Sequence, residues 1–108
     1  MADRSFFVAF TVFAPFRVTG LFSSIFVVSS AGLPTVDVNR AGVSLLTTKL
    51  TIDANEKDSS TAATSYAWVG SPAPAFMDFA VGDVISFDID VGGTGAKGLI
   101  VYMLGFDL

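Results

Sequence analysis

The 108-residue chain is long enough to form one domain with its own core, so a single domain covering residues 1–108 is expected. Its net charge is −4 and its six cationic residues are spread along the sequence, which argues against binding to nucleic acid or to an anionic membrane. The absence of cysteine and histidine excludes disulfides, thiolate nucleophiles and a Ser-His-Asp triad.

Hydrophobic residues make up 52% of the chain and eleven of them are Phe, against 15% charged residues. A soluble monomer of this size cannot easily hide so much apolar surface, so a membrane or a partner subunit is expected to cover the excess. The N-terminal stretch at residues 5–32 is interrupted by Pro15 and Arg17, before it reaches the roughly 20 apolar residues of a spanning helix. A signal peptide stays open as an alternative, but the many Phe, Val and Thr residues favour strands.

Short runs rich in Val, Ile, Phe and Thr alternate with Gly, Pro, Asn and Ser along the whole chain, and this pattern predicts an all-β protein. The expected architecture is an antiparallel two-sheet β-sandwich, jelly-roll-like, with about eight strands. Gly42, Gly82 and Gly98 are predicted turn glycines. The strands are predicted at residues 5–13, 15–19, 21–29, 34–39, 42–52, 64–69, 76–80, 83–91 and 98–107.

The first and last of these strands carry apolar residues on both faces. In the last strand, Leu99 and Val101 alternate with Ile100 and Tyr102, so neither face is polar. One face can pack on the core, and a neighbouring subunit is the simplest cover for the other, with a long loop as the alternative. The predicted interface residues are Phe7, Phe13, Phe16, Tyr102 and Phe106.

The stretch VGDVISFDIDVGGTGAKGL, residues 81–99, is the best candidate for a chemical site. Asp88 and Asp90 are two strand residues apart, a spacing of about 7 Å that overlaps the carboxylate separation of inverting glycosidases and could suit a metal. A solvated outer face of a half-buried strand is the more ordinary interpretation. The glycines do not form a P-loop, because Gly98 follows Lys97 where Ser or Thr is required. No catalytic, cofactor or metal site is therefore predicted.

Two aromatic residues leave a further alternative open. Tyr66 and Trp68, beside the proline-rich turn at residues 70–75, could form a platform on which a sugar stacks. Aromatic residues in strands more often pack in a core or an interface. A Ser-Lys dyad through Lys57 or Lys97 is only formally possible, and nothing in the sequence strongly indicates an enzyme.

The segments TVDVNRAGVSLLTTKLTIDANEKDSSTAA (residues 35–63) and VGDVISFDIDVGGTGAKGLIVYML (residues 81–104) resemble small β-sandwich modules of tailed-bacteriophage virion proteins. The resemblance covers about two thirds of the chain and excludes the Phe-rich first 30 residues. It implies a jelly-roll-type domain of a tail fibre, head fibre or capsid-decorating protein, without catalytic residues. The matched turn and strand-edge positions are Gly42, Asp53, Gly82, Asp83 and Gly98.

Because the short chain begins at Met1 and enters a strand within five residues, we expect it to have no fibre stalk, and this expectation favours a capsid decoration (cement) protein. We expect it to form a homotrimer, to clamp adjacent major capsid subunits on the outer capsid surface, and to bind neither nucleic acid nor membrane. The alternative is a receptor-binding or fibre-tip module that recognises host-surface glycan through Tyr66 and Trp68. A tail or neck protein is a further structural possibility.

Overall fold

The structure, a computed structural model, describes residues 7–108, with side chains from Ala9 onward. This part of the chain is all-β with antiparallel sheets, which confirms that part of the predicted fold class, and it contains no α-helix. One short 3-10 helix spans Ser59–Thr61. The strands are β1 (Phe7–Thr11), β2 (Phe16–Val27), β3 (Thr35–Arg40), β4 (Val43–Ser44), β5 (Leu46–Thr48), β6 (Leu50–Thr51), β7 (Ala67–Trp68), β8 (Met77–Phe79), β9 (Val84–Val91) and β10 (Lys97–Asp107).

These strands form two larger sheets and one small one. Sheet A has the order β1-β9-β3-β4, with β6 also paired to β3. Sheet B has the order β10-β2-β8, and its longest pairing joins β10 to β2. Strands β5 and β7 form a separate two-stranded sheet. All of the pairings are antiparallel, as hairpin-rich sequences with short connections favour.

The main core lies where both larger sheets contribute their alternating apolar residues. Val38 and Ile85 from sheet A are fully buried, as is Val18 from sheet B. Trp68 from β7 joins the same cluster. Full burial of one such aliphatic side chain stabilises the fold by about 1.5–3 kcal/mol, so this cluster is the main source of stability.

A hydrogen-bonded serine joins the loop after β2 to the turn before β10. The Ser29 hydroxyl donates to the Ala31 carbonyl oxygen at 2.6 Å and accepts from the Thr94 backbone N–H at 3.0 Å, and the side chain is 1% exposed. Gly93 has φ +74°, and a Cβ there would collide with Ser29. The glycine-rich turn is therefore packed against this serine, which fixes where β10 begins.

Several predicted boundaries are wrong. Residues 15–19 and 21–29 form one strand, β2, because Gly20 stays in register with Leu104 and a bulge absorbs the irregularity. The predicted strand at 42–52 is three short strands, of which β4 and β6 pair with β3 while β5 pairs with β7. Gly42, Gly82 and Gly98 all adopt positive φ, but only Gly42 and Gly82 lie in turns. Gly98 lies within β10, where Phe26 leaves no room for a Cβ.

Candidate functional site

The most unusual surface of the described chain is the side of sheet B that faces away from the core. Leu99, Val101 and Met103 of β10 pack against the core clusters, so the residues between them point outward. In the pairing of β10 with β2, Ile100 is opposite Ser24 and Tyr102 is opposite Phe22, so these β2 residues lie beside the outward residues of β10. We call this surface the outer face and define it by Phe22, Ile100, Tyr102, Leu104 and Phe106.

The outer face is apolar and open to solvent. Ile100 is 54% exposed, Leu104 57% and Phe106 55%. Phe22 and Tyr102 are half-buried because their rings pack together, with centroids 5.4 Å apart. An outward strand face is usually polar, so an outer face built from these residues indicates a surface that contacts another molecule.

An ion pair between Arg17 and Asp78 lies at the end of the outer face near Phe106. Arg17 is opposite Phe106 in the pairing of β2 with β10. Arg17 donates two hydrogen bonds to the Asp78 carboxylate, at 2.7 and 3.0 Å, and its guanidinium stacks 3.9 Å from the Phe76 ring centre. The hydrogen bond lowers the pKa of Asp78 and raises the pKa of Arg17 from their ordinary values, so both groups are charged at neutral pH. Their charges compensate each other locally.

The predicted interface residues fall into different environments. Phe106 and Tyr102 belong to the outer face, and Phe13, in the turn between β1 and β2, is 91% exposed. Phe16 is half-buried, packs edge-on against Phe79 at 5.1 Å and lies against the main core cluster, so it is not part of the outer face. The Phe7 side chain lies outside the described residues.

The acidic residues of β9 have structural partners. Asp88 accepts a hydrogen bond from the Asn39 side-chain amide at 2.9 Å, and Asp90 pairs with Lys49 at 2.5 Å. This ion pair raises the pKa of Lys49. No group of three or more acidic residues within residues 7–108 could hold a metal ion. The picture of a simply solvated acidic face is therefore incomplete, since both carboxylates are engaged.

The neighbouring Asp37 on β3 is held in a similar way. It is 6% exposed, accepts from the Ser44 hydroxyl at 2.7 Å and also accepts from the Val38 backbone N–H. These bonds satisfy a carboxylate whose burial would otherwise be costly. The polar side of sheet A thus carries a network that holds β3 and β4 in place, with its acids committed to neighbours.

Trp68 does not form an exposed aromatic platform, and that expectation is wrong. The indole is 2% exposed and meets the Tyr66 ring edge-on at 5.9 Å. Tyr66 in turn accepts a hydrogen bond from the Leu21 backbone N–H at 3.0 Å. Trp68 faces the core, since β7 pairs with β5 at Leu46, and Tyr66 is half-buried against the same cluster, so the two rings do not form an exposed platform.

The recesses of the described surface are shallow. One of about 470 Å³ lies over sheet A, beside Ala9, Ser86 and Asp88. A second, of about 160 Å³, is lined largely by the hydroxyls of the loop around the 3-10 helix and carries no charge. Neither brings together a base, a nucleophile and an anion-stabilising group, so neither has the arrangement of an active site.

Comparison with known proteins found no match among family models, curated proteins or solved structures. The resemblance to phage virion modules therefore stays a prediction from residues 35–104. Within residues 7–108, no helix has the length and apolar character needed to cross a membrane.

Proposed function

We propose that this chain is a structural protein of a bacteriophage virion, a capsid decoration or cement protein that binds the major capsid protein on the outer capsid surface. The observation that carries the proposal is the outer face, an exposed apolar strip on a small protein whose core is already filled. Such patches mark contact surfaces on other proteins. The resemblance of residues 35–104 supplies the virion context.

The proposed action is mechanical. Ile100, Leu104 and Phe106 each have roughly half of their surface open, so covering them contributes about 1 kcal/mol per side chain, or about 3 kcal/mol in total. A contact of that size is weak alone. Copies that bind a repeating shell through several linked contacts gain from effective concentration, which lets weak contacts hold neighbouring subunits together. This role needs no catalytic residue.

The proposal includes a jelly-roll-like two-sheet sandwich. Its support is the main core cluster, to which Val38 and Ile85 of sheet A and Val18 of sheet B all contribute. In this arrangement sheet A would face away from the shell, and the outer face of sheet B would face it. The homotrimer stays a prediction from the sequence.

The fibre-tip alternative has lost its supporting observation. It required an exposed aromatic platform at Trp68, and that residue is 2% exposed. We therefore propose the capsid decoration role alone.

Two experiments test it. Mass spectrometry of purified particles from a phage that encodes this chain should detect it. Capsids stripped of it should then co-sediment with added protein, and Leu104→Asp should weaken this binding at least tenfold, because it places a charge in the covered strip. Val43→Asp on β4, a position 68% exposed on sheet A, is the matched control and should bind normally. Particles without the chain, or equal binding by both variants, would contradict the proposal.

A further inference from the structure

Strand β10 is an unprotected edge of sheet B. Among residues 7–108 it pairs with β2 on one side and with no strand on the other. It is 11 residues long, and between Lys97 and Asp107 it contains neither a charge nor a proline. Edge strands of soluble proteins are normally short or guarded by charges, prolines or bulges, because an open edge recruits another strand.

We propose that two copies of this chain pair through their β10 strands, antiparallel about a two-fold axis at Tyr102. The two three-stranded B sheets then become one continuous sheet of six strands. A two-fold contact uses the same strand on both copies, so one open edge satisfies the other.

The charges at the ends of β10 select this register. Lys97 and Asp107 stand about 34 Å apart in an extended strand, too far to meet within one copy. Both are exposed, and neither forms an ion pair with another residue of the described chain. An antiparallel pairing centred on Tyr102 places Lys97 of each copy opposite Asp107 of the other, which gives two intermolecular ion pairs. Moving the centre by one residue separates the charges.

The same register matches the side chains across the axis. Residues directly opposite each other point to the same side of a sheet, so the two outer faces lie on one side of the joined sheet. Phe106 then lies opposite Gly98, which carries no side chain that could block this approach. Ile100 lies opposite Leu104, and the two Tyr102 side chains meet at the axis. The core-side positions pair Leu99 with Gly105 and Val101 with Met103.

The pairing goes beyond the capsid role and does not depend on it. It joins two outer faces into one apolar surface about twice as wide, which a partner can then cover. It also competes with the three-fold assembly predicted from the sequence. Solution measurements on the purified chain test the pairing without any capsid, so failure of one proposal is distinguishable from failure of the other.

The first test is a charge exchange read by multi-angle light scattering over a range of concentrations. The wild-type chain should have twice its monomer mass of 11.3 kDa. Lys97→Asp alone and Asp107→Lys alone should each raise the dimer dissociation constant about tenfold, because like charges then face each other twice. The double variant should restore wild-type association. Both positions are exposed, so the fold should be unaffected.

The second test uses cross-linking, which is simple because the chain has no cysteine. Tyr102→Cys should form a disulfide-linked dimer on mild oxidation, since opposed Cα atoms at the axis lie about 4.5–5.5 Å apart. Ile100→Cys alone should not form a linked dimer, because position 100 of one copy lies four residues away from position 100 of the other along the paired strands. Ile100→Cys combined with Leu104→Cys should cross-link again. Far-UV circular dichroism confirms that each variant is folded.

A monomer at all concentrations would overturn the pairing. A mass three times that of the monomer would also overturn it, in favour of the homotrimer. Failure of the double charge variant to restore association, or cross-linking of Ile100→Cys as efficient as that of Tyr102→Cys, would refute the register.

Discussion

Replacement of Trp68 distinguishes a core residue from a ligand platform. Trp68→Ala removes a side chain that is 2% exposed and packs edge-on against Tyr66. Truncation of a buried aromatic residue costs about 3–5 kcal/mol of unfolding free energy, through lost burial and the cavity left behind. The total free energy of unfolding of a small domain is about 5–15 kcal/mol, so this variant should lose a large part of its stability.

Trp68→Phe should be much milder. It keeps an aromatic ring in the core and removes the indole N–H, which is buried without a hydrogen-bond partner. Burial of an unpaired donor costs about 1–3 kcal/mol, and its removal offsets part of the lost packing. We expect a net loss below about 2 kcal/mol.

The assay is urea unfolding followed by far-UV circular dichroism, because Trp68 is the only tryptophan and its fluorescence disappears in both variants. Phe13→Ala is the control: Phe13 is 91% exposed, so its loss should change stability by less than about 0.5 kcal/mol. A loss below about 1 kcal/mol for Trp68→Ala would refute the reasoning and return Trp68 to the surface.

Two further predictions concern named hydrogen bonds. Ser29→Ala should lower the urea midpoint by an amount equivalent to about 1–3 kcal/mol, since the Thr94 backbone N–H loses its acceptor; an unchanged midpoint would contradict this. Asp78→Asn should make the free energy of unfolding fall less steeply as the pH is lowered. Because Arg17 depresses the pKa of folded Asp78, the pair stabilises the fold above the ordinary value of 3.8, and this contribution disappears as the pH falls through the folded pKa. Equal acid slopes for wild type and variant would exclude the pair as a contributor.

The sequence predicted the all-β class and two of the three longest strands, β9 and β10, because alternation of apolar residues is a local signal. Residues 83–91 and 98–107 match β9 and β10 within one residue at each end. Gly20 misled the prediction, since its place inside β2 depends on the distant partner Leu104. A strand break at a glycine cannot be judged without knowing what pairs with it.

The candidate site was predictable only in part. Two apolar faces on the last strand indicated that the outer face needs a cover. Lys49 and Asp90 are 41 positions apart, so no local pattern showed that the Asp90 carboxylate is neutralised by a neighbour. The orientation of Trp68 could not be predicted from its neighbours in the sequence either, because it is set by the pairing of β7 with β5.

The central claim is that the outer face of sheet B binds a virion surface. Single-particle electron cryo-microscopy of virions from a phage that encodes this chain tests it most directly. We expect copies of the chain on the outer capsid surface, with β10 and β2 against the major capsid protein and sheet A toward solvent. A shell without these copies, or copies attached through sheet A with the outer face exposed, would contradict it.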